Sequence, residues 1–424
     1  MMQYNKSINN LRVAHLEKTS LNTLFSHYCR SLIPQGSLAD KLIIIILLSL
    51  SFSVLANKVS TDNKLTVTLE KIRMQNDVPA MVVAIISSGK ITYIKGFGFL
   101  DEVKKVPTTK NTLFRIASIS KLFTAQAIMQ LVEDKKLGLN DNVSQYLSAF
   151  ENTNITIKEL LTHSSGLSDS IRPVNEDVKR SEKSYLHLVQ KTADNNGEIK
   201  TFKYSDTGFN ILGAVISVIS GVSYEKYIND NILMPAGMKK STYFNDTTEH
   251  VVQALPTYKG LLIDKSEQRP YDLSFNPSEG LISNVYELSH WLRLTLANDD
   301  AILKEQTYKD MLLPQIKTVW GGIYMGLGWQ VYKSEGVDVS RHPGSIRGYK
   351  SLIITYPESE NAMVLLTNSS NDSRWEIAKS ITKILKQNAE WYWRLKINTI
   401  DFQIMDIFNC SVTYMYMFCL GYLL

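Results

Sequence analysis

The apolar positions of this chain change period several times, and those changes divide it into elements. Residues Leu65 to Gln75 read as a short helix, and two β-rich runs follow, Met81 to Ile86 and Ile91 to Phe99. Ser87, Ser88 and Gly89 separate the two runs as the turn of a hairpin. From Ile119 to Val132 the chain is apolar all round except for Lys121, until Glu133-Asp-Lys-Lys136 and then Gly138 provide a stop. That pattern predicts a helix buried on every side.

Ile157 to Leu161, a polar loop from Ser164 to Arg180, a helix near Ser184 to Thr192 and a further helix from Asn210 to Gly221 complete a helix-rich middle. The period then returns to strands. Gly328 to Tyr332, Tyr349 to Tyr356 and Ala362 to Thr367, with turn residues Pro357 to Asn361 between the last two, predict an antiparallel meander. Arg374 to Lys386 closes the region as an amphipathic helix with Ile377, Ile381, Ile384 and Leu385 on one face. Strands, helices and strands again, without internal repeats, predict one discontinuous α/β unit: an antiparallel sheet flanked by helices, with a helical insertion. The expected boundaries are an N-terminal extension and signal or anchor segment over 1–56, an α/β part over 57–120 and 245–390, a helical insertion over 121–244, and an apolar tail over 391–424.

Composition refines this in two places. A net charge of +5 spread over 424 residues gives no basic patch, so no nucleic-acid partner is expected. Lys41 followed by the apolar run Leu42 to Leu55, with Val54-Leu-Ala56 as a small-residue cleavage site, predicts export, to the periplasm or outside the cell, by a signal peptide or an uncleaved anchor. About forty residues precede the run, and no cysteine directly follows Ala56, which argues against lipoprotein processing. Cys29, Cys410 and Cys419 all lie outside Asn57 to Glu390, so the core has no internal disulfide. The uncharged stretch Ile407 to Leu424, after Trp391, Tyr392 and Trp393, fits a marginal membrane anchor, an interface or sequence from a disrupted reading frame.

Candidate chemistry centres on a serine one helical turn before a lysine. The spacing occurs four times, as Ser87/Lys90, Ser118/Lys121, Ser223/Lys226 and Ser380/Lys383. Ser87 belongs to the hairpin turn, Ser223 follows Gly221 and caps a helix, and Ser380 is a solvated position on the amphipathic helix. Ser118 alone opens a buried helix. Residues three apart on a helix are about 5–6 Å apart at Cβ, which lets the Lys121 amine reach the Ser118 hydroxyl. Desolvation and the positive helix end would lower the lysine pKa toward a value useful for taking a proton.

Three further candidates stand in loops or strand ends. Tyr204-Ser-Asp206 precedes a helix, His163 lies in Leu160-Leu-Thr-His-Ser-Ser-Gly-Leu167 as a buried organiser of its loop, and Arg341-His-Pro-Gly-Ser345 begins the meander. Gly344 there would let a substrate backbone approach closely. The chain has no Gly-x-Ser-x-Gly elbow, Walker loop, dinucleotide fingerprint or His-Glu-x-x-His, so neither a metal nor a nucleotide cofactor is expected.

Ser118-x-x-Lys121, Tyr204-x-Asp206 and His342-x-Gly344 resemble, in order and separation, the three motifs of the penicillin-recognising serine hydrolases, especially the class C β-lactamase-like family. Thr112-Leu-Phe-Arg-Ile-Ala-Ser-Ile-Ser-Lys121, Pro235-Ala-Gly-Met238, Glu279-Gly-Leu-Ile-Ser283 and Gly326-Leu-Gly-Trp329 extend the resemblance over roughly Leu65 to Leu385. It implies an α/β sandwich with an inserted all-helical domain, acylation of Ser118, and proton shuttling by Lys121 with Tyr204. It also implies an oxyanion hole from the backbone N–H groups of Ser118 and Ser345, and a substrate-binding set of Asp206, His342, Gly344, Ser345 and Arg347.

Two motifs depart from the family pattern. Asp206 stands where the family usually has asparagine, and a carboxylate near Lys121 would hold that amine protonated, handing the base role toward Tyr204. His342-Pro343-Gly344 stands where β-lactamases usually have Lys-Thr-Gly. A histidine with an ordinary pKa of about 6.5 is largely neutral at pH 7, so recognition of a β-lactam carboxylate would be weak unless Arg347 substitutes. The form His-x-Gly looks more like family members acting as esterases or D-amino-acid peptidases. The expected activity is therefore an exported serine hydrolase acting on a small-molecule ester, amide or peptide. A D,D-peptidase or weak β-lactamase, and a low-turnover penicillin-binding sensor, are the alternatives.

Overall fold

The computed structural model describes residues 61–101, 105–167, 200–243, 254–263, 275–297 and 300–386. The apolar run at 42–55, the tail beyond 390, most of the polar loop after Ser164 and the helix expected near Ser184 lie outside the described residues. The described residues from Leu65 onward form one compact unit.

The described residues open with helix α1 over 61–75 and a hairpin of β1 (Ala80–Ser87) and β2 (Lys90–Asp101). Ser88 and Gly89 turn the hairpin with φ of 49° and 68°, the left-handed pair that matches strand twist. Short strands follow: β3 (Val106–Pro107), β4 (Phe114–Arg115), β5 (Thr242–Tyr243), β6 (Thr257–Tyr258), β7 (Leu261–Leu262) and β8 (Leu281–Ser283). The chain then adds β9 (Ile316–Lys317), β10 (Tyr324–Met325), β11 (Gln330–Ser334), β12 (Val337–Ile346), β13 (Tyr349–Tyr356) and β14 (Asn361–Thr367).

Nine strands form the main antiparallel sheet in the order β3-β2-β1-β14-β13-β12-β11-β10-β9, so the first hairpin docks against the last strand of the meander. β1 reads as a continuous apolar run because both of its faces are covered. Ala80, Val82, Ala84 and Ile86 belong to one core, and Met81, Val83 and Ile85 to another. The second core is closed by Leu65, Leu69 and Ile72 of α1 and by Ile377, Ile381, Ile384 and Leu385 of a C-terminal helix.

The other helices are α2 (Ser120–Glu133), α3 (Ile157–Leu161), α4 (Asp206–Ser220), α5 (Tyr224–Ile228), α6 (Asn276–Glu279), α7 (Val285–Leu296), α8 (Glu305–Met311) and the C-terminal helix α9 (Arg374–Lys386). Their starts follow local chemistry. Thr156 and Glu159 form a capping box on α3, and the side chains of Ser205, Ser223 and Asn284 cap α4, α5 and α7. Trp291 of α7 stacks on Phe123 of α2 at 4.5 Å, joining the helical body to the sheet-covering layer. The structure is thus the α/β fold expected from the pattern, an antiparallel sheet flanked by helices. A small sheet ordered β4-β8-β5 leads the chain into α2 and brings it back.

Candidate active site

Ser118 sits in a single 3-10 turn, Ala117–Ile119, between β4 and α2. Ala117 is held at φ 51°, a left-handed conformation that costs an alanine about 1–2 kcal/mol. Neighbouring groups fix the turn. The Ser120 hydroxyl donates to the Ala117 carbonyl at 2.7 Å and accepts the Leu281 N–H at 3.0 Å, while the Ser351 hydroxyl donates to the Ile116 carbonyl at 2.7 Å. A Cβ on Gly344 would stand 2.4 Å from the Ile116 oxygen and 2.1 Å from Ser351 Oγ. Gly344 therefore makes room for the serine-bearing turn itself, not for a substrate backbone as the sequence suggested.

α2 is buried almost all round, and Lys121 on its first turn has no exposed surface. Its Nζ donates to Asp206 Oδ1 at 2.6 Å and to the Ser278 carbonyl at 2.9 Å, and lies 5.1 Å from the centre of the Tyr204 ring. Burial pulls the lysine pKa down, but Asp206 and Tyr204 outweigh it and hold the amine above its ordinary range. The expected lowering toward a free amine does not occur. Lys121 is an ammonium paired with a carboxylate on the first residue of α4, a helix end that itself favours negative charge.

Tyr204 approaches from the segment before α4, and its hydroxyl is hydrogen bonded to the side chains of both Ser118 and Lys121. Burial pushes its pKa up and Asp206 adds to this; Lys121 and the two hydrogen bonds pull it down, leaving it raised. His163 stacks on the Tyr204 ring at 4.2 Å, and its Nδ1 accepts the Ser205 N–H at 3.1 Å. Its ring proton is therefore on Nε2. Burial first, then Lys121 and His342, hold this imidazole neutral. His163 thus organises more than its own loop, because it fixes the segment that carries both Tyr204 and Asp206.

Alternation along β12 decides the rest. His342 and Gly344 point inward, whereas Arg341, Pro343 and Ser345 line a cleft of about 480 Å³ together with Ser118, Tyr204 and Asp206. His342 is fully buried, and with Nδ1 2.9 Å from the carbonyl of Pro343 it carries its proton there. Burial, with Lys121 nearby, lowers its pKa to about 3, so it is neutral at pH 7. Arg347 is exposed and does not line the cleft. The structure therefore brings together Ser118, Lys121, Tyr204, Asp206 and Ser345, keeps His342 behind them, and leaves Gly344 and Arg347 out of the cleft.

Sequence reasoning missed Trp320, Gln330, Arg374 and Trp375, which complete the walls. It also missed Ser120 as the clamp of the turn, and passed over Arg341, one residue before the histidine it selected. A larger cavity of about 740 Å³ lies against α8 and the β11–β12 hairpin. Ser118, Lys121 and Tyr204 are not part of it, so chemistry rather than size identifies the site. Among the described residues no group of three His, Cys, Asp or Glu side chains is placed to hold a metal ion.

Comparison with known proteins identifies the family and the fold. A family model described as Beta-lactamase matches residues 63–384. Protein flp of Staphylococcus aureus (strain MW2) is 28% identical over 312 residues, covering 70% of this chain and 60% of its own length, so this chain spans less than two thirds of that relative. Penicillin-binding protein 4* of Bacillus subtilis (strain 168) is 28% identical over 317 residues, covering 70% of this chain and 69% of its own. Among solved structures, the octameric penicillin-binding protein homologue from Pyrococcus abyssi superposes with a TM-score of 0.66 at 29% identity, over 74% of this chain and 75% of that one. A penicillin binding protein from Bacillus halodurans gives 0.63 at 26% identity, over 74% and 98%.

Proposed function

We propose that this chain, which belongs to the Beta-lactamase family of serine hydrolases, cleaves an ester or amide through an acyl-enzyme on Ser118. The observation that carries the reading is the Tyr204 hydroxyl shared between Ser118 and a buried Lys121 ammonium at the floor of a cleft.

With Lys121 held protonated by Asp206, the group free to take a proton is Tyr204 in its phenolate form, which the adjacent ammonium stabilises. Ser118 Oγ attacks the substrate carbonyl as its proton passes to the phenolate. The carbonyl oxygen becomes an oxyanion, accepted by the backbone N–H groups of Ser118 and Ser345. Pairing of β12 with β11 stops at Arg341, so from His342 onward β12 has only β13 beside it among the described strands. That open edge beside Ser118 supports the oxyanion assignment. Collapse expels the leaving group, which takes the proton from Tyr204. Water then attacks the acyl carbonyl and gives a proton to Tyr204; the second tetrahedral intermediate collapses with cleavage of its bond to Ser118 Oγ, which takes that proton back from Tyr204, releasing the acid and regenerating serine and phenolate.

The apolar run Leu42 to Leu55 supports export as part of this proposal. Two relatives named as penicillin-binding favour a second reading, slow β-lactam turnover, and the motif resemblance adds to it action on cell-wall D-Ala-D-Ala peptides. The test is a panel of short aryl esters, D-Ala-D-Ala peptides and a chromogenic cephalosporin, with fluorophosphonate labelling of Ser118 followed by mass. We expect aryl ester turnover that falls by at least about a thousandfold in Ser118→Ala. No ester turnover by the unsubstituted protein would reject the reading. Labelling without turnover of any substrate would point to a sensor.

A further inference from the structure

The structure assigns a second ligand site to the cavity under α8, and its lining points to a hydrophobic cation, an apolar body that ends in an ammonium. The site stands apart from the acyl-enzyme chemistry proposed above.

The cavity measures about 740 Å³, a volume in the range that holds small molecules, against about 480 Å³ for the cleft. The two have no lining residue in common. Along the paired strands β11 and β12, Gln330 and Arg341 line the cleft, whereas their neighbours Val331 and Ser340 line the cavity. The segment over 320–324 divides in the same way, with Trp320 and Ile323 on the cleft and Gly322 and Tyr324 on the cavity. One edge of the sheet thus separates two sites.

Much of the cavity wall is apolar, supplied by Leu296, Leu312, Leu313, Pro314 and Val331. Leu313 and Tyr324 keep 52% and 37% of their surface exposed, which a bound apolar body would cover. On α8 and the residue that ends it, Glu305, Tyr308, Lys309 and Leu312 recur at i, i+3, i+4 and i+7, so one helix face is turned to the cavity. The Tyr308 side chain is almost wholly buried, edge-on to Trp329 at 6.5 Å, and its hydroxyl has no hydrogen-bond partner among the described residues. A buried hydroxyl left unpaired is costly, and an occupant that donates to its oxygen removes that cost.

Charge decides which donor fits. Lys309 is paired with Glu305 and Lys333 with Asp338, each at 2.6 Å. Glu358 and Glu360 line the same cavity, and no further ammonium or guanidinium does, so its lining carries more carboxylates than cations. An ammonium entering there meets carboxylates and the Tyr308 side chain, whereas an anion is repelled.

The test uses phenylbutylamine, with phenylbutanol and phenylbutyrate as neutral and anionic probes of the same body, in calorimetry on the full chain. The amine should bind at least about fivefold tighter than the carboxylate, with the alcohol between them, a margin suited to partly screened charges. Glu358→Gln combined with Glu360→Gln should narrow that margin to within about twofold, and added salt should narrow it too. Tyr308→Phe removes only the unpaired oxygen, so it should weaken the amine at least about threefold without lowering the melting temperature. Leu313→Trp, which fills the cavity, should abolish binding of all the probes, while Trp375→Ala on the cleft wall should leave them bound. No binding by any probe, equal affinities for all of them, or an amine affinity unchanged in Tyr308→Phe would overturn the assignment. So would binding that is lost in Trp375→Ala and kept in Leu313→Trp. Should Leu313→Trp not fold, Tyr308→Phe and the paired glutamine variant decide it. Binding needs no turnover, so failure of the hydrolase reading and failure of this one are distinguishable.

Discussion

At the scale of single residues, the site turns on which group holds the proton between Ser118 and Lys121. The buried Lys121 would lose its proton readily were it alone, since burial is the largest influence on it and acts downward. The 2.6 Å contact with Asp206 reverses the balance. The same carboxylate also raises the Tyr204 pKa. Asp206→Asn removes both effects, and they act in the same direction. Lys121 becomes a neutral amine nearer physiological pH, and Tyr204 ionises more easily. The rising limb of the kcat/KM profile for an aryl ester, which for the unsubstituted protein should still climb above pH 8 because the Tyr204 pKa is raised, should move to lower pH by about one unit or more. A profile that stays in place or moves upward would show that Asp206 does not set the base. This pair was legible in the sequence because both residues belong to short local motifs. Arg341, Trp320 and Trp375 were not, because they reach the cleft from three distant segments, and nothing in the spacing announces that meeting. His342 was selected over Arg341 because a motif does not reveal strand parity, and a shift of one residue exchanges the cleft face for the core.

Among elements, the decisive contact is β12 against the turn that carries Ser118. The Ile116 carbonyl it would strike is backbone, already bonded to Ser351, and cannot rotate away. Gly344→Ala must therefore push β12 from the turn, moving Ser345 relative to Ser118. We expect a loss of about 1–3 kcal/mol in unfolding free energy, as for other overpacked interiors, and at least a tenfold loss of kcat from a site whose parts have separated. Gly322→Ala is the control, since a Cβ there meets nothing within 4 Å. Equal melting and turnover of the two variants would contradict the packing argument. Long elements were readable in advance. The β1–β2 hairpin, α2 and α9 all carry enough residues to display a period, and the helix expected from Asn210 starts at Asp206 because Ser205 caps it. Strands of two or three residues such as β4, β5 and β8 were not readable, since alternation cannot show itself over so few positions.

For the whole molecule, two buried neutral imidazoles tie catalysis to stability. His163 fixes the segment leading into α4 on the helical side, and His342 lies within β12 of the sheet. Lys121, Asp206, Arg374 and His163 are the ionisable groups that bear on His342. Its pKa of about 3 in the fold lies below the value of about 6.5 expected for an unfolded chain. Between those values the unfolded state binds more protons, so unfolding becomes easier as pH falls from about 6.5 toward 3, and His163 contributes with the same sign. A shift of that size at a fully buried site is worth on the order of several kcal/mol at the acid end of the window. Urea midpoints measured at pH 7, 5.5 and 4.5 should therefore drop steadily, and His342→Gln should flatten the slope even if it lowers the midpoint at pH 7. An unchanged slope in that variant would assign acid sensitivity to carboxylates elsewhere. The histidines flank the Ser118 site from both sides, so protonating them loosens the contact between helical body and sheet where the cleft is built. Activity, which already declines at higher pH as the Tyr204 phenolate is lost, should show a second, steeper loss over the same interval as unfolding.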